Sequence, residues 1–412
     1  MSLSNNFPTI FPELNLDFAN TGVLDPRITF TRASTATYFN QLGVLTTAAV
    51  DVPRFDYNPS TLAPLGLLIE EQRTNSCLQS EDLTTTWTLA ASSITTNAAV
   101  APDGNLTADK VVADSTNAFH GVNQSIAVTS GVTYTFSVYA KASGYNFLRT
   151  GFASSRFGTA VAYFDLANGT VGTLSGVTAT ITPAGNGWYR CSMTATCTSS
   201  GTSTHSLIYT CQSDNQGAFT GDNTSGLFAW GAQLEAGAFA TSYIPTTTTS
   251  LTRSADVASM TGTNFSSWYN AAEGTFYAES VKNGNVNFQQ LININDGTTN
   301  NTIAFGFGSG LNPLREDVVV SGSSVVSITG IADTSTIGTI LKVAGAYKVN
   351  DFAISGNGGA VATDTLGAVP VVNRMDIGYR SAGTPLTFTG TIRRLAYYSV
   401  RLTNAQLQAL TL

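Results

Sequence analysis

The stretch Val132-Thr133-Tyr134-Thr135-Phe136-Ser137-Val138-Tyr139 sets apolar side chains on one face of an extended chain and mostly hydroxyls on the other. A period of two over eight residues is the signature of a β-strand with one face toward a core. The same alternation returns in residues 188–198, where Cys191, Met193, Ala195 and Cys197 share a face. Asn168-Gly169 and Asn186-Gly187 stand between such runs. Both residue types tolerate the positive φ of tight hairpins, so each pair reads as a turn.

Beyond Ile244-Pro245-Thr246-Thr247-Thr248-Thr249-Ser250, an aperiodic stretch that reads as a linker, the pattern resumes. Strands are predicted over 274–281, 288–294, 303–307, 341–349, 352–354 and 391–400. Turns fall at Asn283-Gly284, Asp296-Gly297 and Gly356-Asn357-Gly358-Gly359. Short strands with this punctuation predict a β-sandwich. One helix is predicted, over 403–410. Thr403-Asn404-Ala405-Gln406 fits a capping box, with Leu402 and Leu407 as its hydrophobic staple.

Composition agrees with an all-β chain. Only 11% of the 412 residues are charged, against roughly 25% in ordinary soluble domains. The hydrophobic fraction of 42% and a net charge of −7 exclude disorder. Nineteen basic residues, with no run longer than Arg393-Arg394, give no footprint for nucleic acid or anionic lipid. No apolar stretch approaches the roughly 20 residues that cross a bilayer, and residues 1–6 lack the marks of a signal peptide. The expectation is a chain made and folded in a cytoplasm, or delivered by a route that uses no signal. Three segments follow from local composition: a proline-rich, extended module over 1–80, a sandwich over 81–248 and a second over 249–412.

Few groups suit catalysis. His120 and His205 stand in no recognisable catalytic context and read as solvated or structural. The candidate carboxylates for flanking a glycosidic bond are Glu70-Glu71, Glu81-Asp82, Glu235, Glu273 and Glu279; neighbours on a strand point to opposite faces, which disfavours the first pair. Asp103, Asp109, Asp165 and Glu235 are candidate calcium ligands, because hard oxygens suit that ion. Cys77, Cys191, Cys197 and Cys211 read as buried free thiols, with a Cys197–Cys211 disulfide as the alternative. Trp188 and Trp230 lie in predicted strands and read as core. Trp87, Trp268 and Tyr269 lie nearer element ends, and Tyr139, Tyr145 and Phe147 surround a loop. Tyr139, Tyr145, Phe147, Trp268 and Tyr269 are the candidate ligand platform.

Three blocks also resemble known families. Leu16-Asp17-Phe18, the run Asp25-Pro26-Arg27-Ile28-Thr29-Phe30-Thr31-Arg32-Ala33-Ser34-Thr35, Val52-Pro53-Arg54-Phe55-Asp56-Tyr57 and Gly66-Leu67-Leu68-Ile69-Glu70-Glu71-Gln72-Arg73-Thr74-Asn75 are similar to the N-terminal module of tailed-bacteriophage fibre and virion-surface proteins. Gly187-Trp188-Tyr189-Arg190, Trp230-Gly231-Ala232-Gln233-Leu234-Glu235 and Ser242-Tyr243-Ile244-Pro245 resemble carbohydrate-binding-module jelly rolls. Glu273-Gly274-Thr275-Phe276, Ala344-Gly345-Ala346-Tyr347 and Ile392-Arg393-Arg394-Leu395-Ala396-Tyr397-Tyr398 resemble concanavalin A-like, or laminin G-like, lectin sandwiches.

The resemblance implies an N-terminal virion-attachment module, a jelly roll and a lectin-like sandwich. It implies a phage structural protein that binds bacterial surface glycans without catalysis, contacts other virion proteins, and forms a homotrimer. The alternatives are a purely structural decoration, neck or tail component and, behind it, a polysaccharide depolymerase.

Overall fold

A computed structural model describes the chain except residues 1–6, 285–287, 309–313, 332–336, 381–382 and 384–385. The signal-peptide reading of residues 1–6 therefore lies outside the described residues. The architecture is all-β: two antiparallel sandwiches and a short C-terminal helix.

The first sandwich is the jelly roll. One sheet runs Thr178–Pro183, Tyr189–Thr196, Thr133–Ser143, Gly226–Ala236, Leu106–Ala113 and Ser92–Val100. The other runs Thr170–Ser175, Val161–Asp165, Phe147–Gly151, Gly201–Cys211, His120–Val128 and Thr88–Ala90. Phe136 and Val138 enter the core between them with Leu148, Phe164, Met193, Leu207 and Leu234, as the alternation predicts. The Asn186-Gly187 turn has φ of 51° and 79°, the conformation for which those residues were read.

The second sandwich is discontinuous in sequence. Its larger sheet pairs Glu273–Lys282 with Ile340–Lys348 and Gly390–Tyr398. Leu14–Asp17 and Pro64–Ile69 both pair with Gly390–Tyr398, so residues from the first proline-rich segment complete that sheet. Thr29–Thr31 joins the opposite sheet beside Val257–Thr261. Leu14, Leu16, Phe18, Phe30, Leu67 and Ile69 are core residues of this sandwich. The jelly roll is thus an insertion between the N-terminal and C-terminal parts of the second sandwich.

A buried ionic cluster fixes the junction. Arg54 donates to Thr37 O, Glu70 Oε2 and Ser242 Oγ at 2.8–2.9 Å, and to Asp256 Oδ2 at 2.5 Å. Arg32 reaches Asp256 at 3.2 Å and Arg253 reaches Glu70 at 3.0 Å. All five side chains are 0–1% exposed. Buried charges persist only when paired and hydrogen-bonded. Ser242, at the end of the jelly roll, also gives its N–H and hydroxyl to Glu70, which ties the insertion to its host. Arg32, Arg54 and Glu70, all quoted from the phage-like N-terminal block, are members of this cluster. The stretch read as a linker is partly built in: Thr246 is buried, and its amide donates to Ser80 Oγ.

The final helix, Asn404–Thr411, has the predicted capping box, with Gln406 N donating to Thr403 Oγ1 and Thr403 N to Gln406 Oε1. Leu402 and Leu407 are buried against Tyr277, Ala344 and Tyr398.

Candidate functional site

Of the five aromatics proposed as a platform, two are core residues and a third packs against the core. Tyr139 is 1% exposed and packs with Leu45, Trp188, Trp230 and Tyr243. It lies on the face that the alternation left outside the jelly-roll core, but residues of the N-terminal segment cover that face. Trp268 is buried, and Tyr269, partly buried, stacks on Phe265 and on Tyr347. Trp87 is buried too, donating Nε1–H to Gln79 O. Trp188 and Trp230 are buried, as read.

The calcium candidates do not converge; each carboxylate is taken up locally. Asp103 accepts from Asn105, and Asp165 from Ala167 and Asn168. Asp109 accepts the Leu83 and Asn97 amides, and Glu235 accepts from Thr241 and Gln233. Among the described residues no group of three or more His, Cys, Asp or Glu could hold a metal ion. Both histidines are structural and neither is solvated: His205, fully buried, accepts the Ala153 amide, and His120 bridges Ala91 O and Phe219 O. All four cysteines are buried and unpaired.

Tyr145 and Phe147 are half-buried. Phe147 shares the strand Phe147–Gly151 with Arg149, two residues on and therefore on the same outward face. Cross-strand register then assembles a row. Arg149 lies opposite Tyr163 on one side and Tyr209 on the other, and Tyr209 lies opposite Gly121. Gly121 is required there: a Cβ would stand 2.3 Å from the Ile208 carbonyl oxygen and 2.6 Å from Tyr209 Cγ, so only glycine lets the neighbouring strand and its phenol lie this close. The Tyr209 hydroxyl donates to Asn123 Oδ1 at 2.6 Å, which fixes the ring.

The Arg149 guanidinium lies 5.1 Å from the Phe119 ring centroid and 5.5 Å from that of Tyr209. Two aromatic rings stand against one cation, an arrangement that restricts the guanidinium. Phe119 is 44% exposed and forms the outer leaf. No carboxylate of the described residues stands within salt-bridge distance of Arg149, and its buried Nε has no hydrogen-bond partner. Many other arginines of the described residues are ion-paired, Arg27, Arg54 and Arg374 among them.

Burial raises the Tyr163 phenol above its ordinary range, against the pull of Arg149. Burial also pushes the Cys211 thiol up to about 12, so it is no nucleophile near neutral pH. Tyr145, edge-on to Phe219 at 5.4 Å, and Gln212 stand at the rim. The arrangement offers directed N–H donors, an exposed aromatic face and amide groups, which suits holding a polar ring compound.

Alternation could not find this row. The pairing of Gly201–Cys211 shifts register against both neighbours, and Leu207 and Ile208 are consecutive core residues. The usable signal is His120-Gly121, a glycine at the opening of a strand.

A second opening, a cleft of about 480 Å³, is lined by Gln79, Glu81, Asp82, Thr246, Thr247, Thr249, Pro245 and Leu251. Glu81 accepts the Tyr243 hydroxyl at 2.9 Å, and burial raises its carboxyl above the usual range.

No family model matches the chain, and no curated protein matches it. Solved structures similar to it include the CBM40 module of Ruminococcus gnavus IT-sialidase bound to α2,3-sialyllactose. That match has 15% identity and a TM-score of 0.32, over 36% of this chain and 87% of that one. The NanB sialidase of Streptococcus pneumoniae has 10% identity and a TM-score of 0.32, over 37% of this chain and 26% of that one. Domains LG4-5 of the mouse laminin α1 chain have 9% identity and a TM-score of 0.26, over 68% and 86%.

Proposed function

We propose that this chain binds glycans through the Phe119–Arg149–Tyr209 face of the jelly roll, without covalent chemistry, as a surface component of a bacteriophage virion. The observation that carries the binding role is the Arg149 guanidinium held between two aromatic rings with no carboxylate to neutralise it. The exposed Phe119 ring matches the apolar C–H face of a sugar ring, and the guanidinium donates to its oxygens. A single open site of this kind is worth about 4–6 kcal/mol, millimolar to tens-of-micromolar affinity, and repeated copies on one particle raise it through avidity. The phage-like N-terminal block supports the virion assignment, with assembly in the host cytoplasm.

The test is a glycan array probed with the full chain, followed by Arg149→Ala and Phe119→Ala on any ligand found. Both variants lose binding in this reading, and the ligand is recovered uncleaved.

One observation favours the structural alternative. Phe7, Ile10 and Phe11 are 55%, 43% and 91% exposed just ahead of the first strand. Clustered exposed apolar side chains suit docking on another virion protein. An array without binders, with the chain still needed for particle assembly, decides for that alternative.

A further inference from the structure

We propose that the strand Thr178–Pro183 is a seam at which a second copy of this chain joins, antiparallel and edge to edge. The strand ends its sheet. On one side it pairs with Tyr189–Thr196 through six consecutive residues without a register shift. On the other side no strand of the described residues pairs with it.

Natural proteins blunt such edges with charge, proline, bulges, short length or cover, because an open row of N–H and C=O groups templates pairing. Most other described edges carry these protections. Ser92–Val100 shifts register twice against its neighbour and has Asn97 at a φ of 51°. Thr170–Ser175 shifts register once, and the Asp214 carboxylate takes its Thr173 amide. Ser323–Ile331 shifts twice. Thr88–Ala90, Thr29–Thr31, Ala362–Asp364 and Phe55–Tyr57 are three residues each. Of these Thr178–Pro183 has only Pro183, at its last position, and the whole run from Thr170 to Pro183 contains no charged residue.

The strand is also self-complementary, which is what argues for a second copy over another protein. A two-fold axis at Thr180 sets Thr178 opposite Thr182 of the second copy and Ala179 opposite Ile181. Hydroxyls then meet hydroxyls on the exposed face, where this sheet already joins Thr135 to Thr194 at 2.7 Å and Thr180 to Ser192 at 2.6 Å. On the other face Ala179 and Ile181, only half-buried against the jelly-roll core, would cover one another. Identical patches meeting across a two-fold axis form a closed dimer.

The experiment is the mass of the full chain in solution by light scattering across a concentration series. Wild type gives the mass of two chains. Thr180→Lys, a charge at the axis on an exposed position, halves that mass with the melting temperature unchanged. Thr96→Lys, exposed on the opposite flank, leaves the mass alone. Amide hydrogen exchange within residues 178–182 supplies a readout without substitution, with protection that rises as the chain is concentrated. A single-chain or three-chain mass for wild type, an assembly that survives Thr180→Lys, one dissolved equally by Thr96→Lys, or protection independent of concentration overturns the proposal.

Discussion

The buried cluster at the junction makes a prediction about order as well as size. Three guanidinium groups, Arg32, Arg54 and Arg253, face two carboxylates, Glu70 and Asp256. Asp56 lies nearby, its carboxyl pushed up to about 7 by burial. Asp256→Asn removes the negative charge that faces both Arg32 and Arg54 and leaves three cations against one anion. Uncompensated buried charge costs about 3–5 kcal/mol. Arg54→Met removes a cation instead and leaves two against two. Glu70 keeps Arg253 and Ser242, and Asp256 keeps Arg32. What remains is Thr37 O without its donor and a lost set of bonds, about 1–3 kcal/mol. The arginine is therefore the cheaper residue to lose, although it makes more hydrogen bonds. Calorimetric unfolding of the full chain at neutral pH measures both, with Asp256→Asn lowering the transition of the second sandwich by roughly 6–20 °C at about 2–4 °C per kcal/mol. Equal losses, the reverse order, or less than about 1 kcal/mol for Asp256→Asn would refute the charge-balance reasoning.

Other outcomes follow from single residues. Glu316 is fully buried, with neither carboxyl oxygen bonded within the described structure, and burial holds its proton well above the usual carboxylate range. The folded chain keeps that proton where the unfolded chain releases it, so this group's contribution is full below about pH 4.5 and is lost as pH rises toward its folded pKa; Glu316→Gln flattens the decline and raises stability at pH 8 in denaturant titrations. Gly121→Ala forces the Tyr209 ring off the sheet, costs about 1–3 kcal/mol, and weakens ligand binding with it. Thr403→Ala removes the cap on the last helix at a cost of about 1 kcal/mol in the same titrations.

Much of this architecture was legible locally. The alternation at Tyr134, Phe136 and Val138, the Asn186-Gly187 turn and the Thr403–Gln406 box each hold the chemistry of their structure within a few residues. The N-terminal strands were not legible, because Leu14 pairs with Tyr397 and Thr29 with Ser259, partners that no local pattern names. Tyr139 shows a related limit. A period of two says which face a side chain takes and leaves open whether that face is covered. Of the candidate platform, Tyr145 and Phe147 were placed near the Arg149 row by sequence, while Tyr163 and Tyr209 reached it only through cross-strand register and a bulge.

The central claim is that the Phe119–Arg149–Tyr209 face holds the ligand. Titration calorimetry of the full chain with its best array ligand tests it most directly, comparing wild type with Arg149→Ala and with Glu81→Gln in the separate cleft. Loss of charge-assisted hydrogen bonds from Arg149 predicts a drop of roughly tenfold to a hundredfold, and Glu81→Gln leaves affinity within about twofold. Unchanged affinity in Arg149→Ala, or a loss confined to Glu81→Gln, would contradict it.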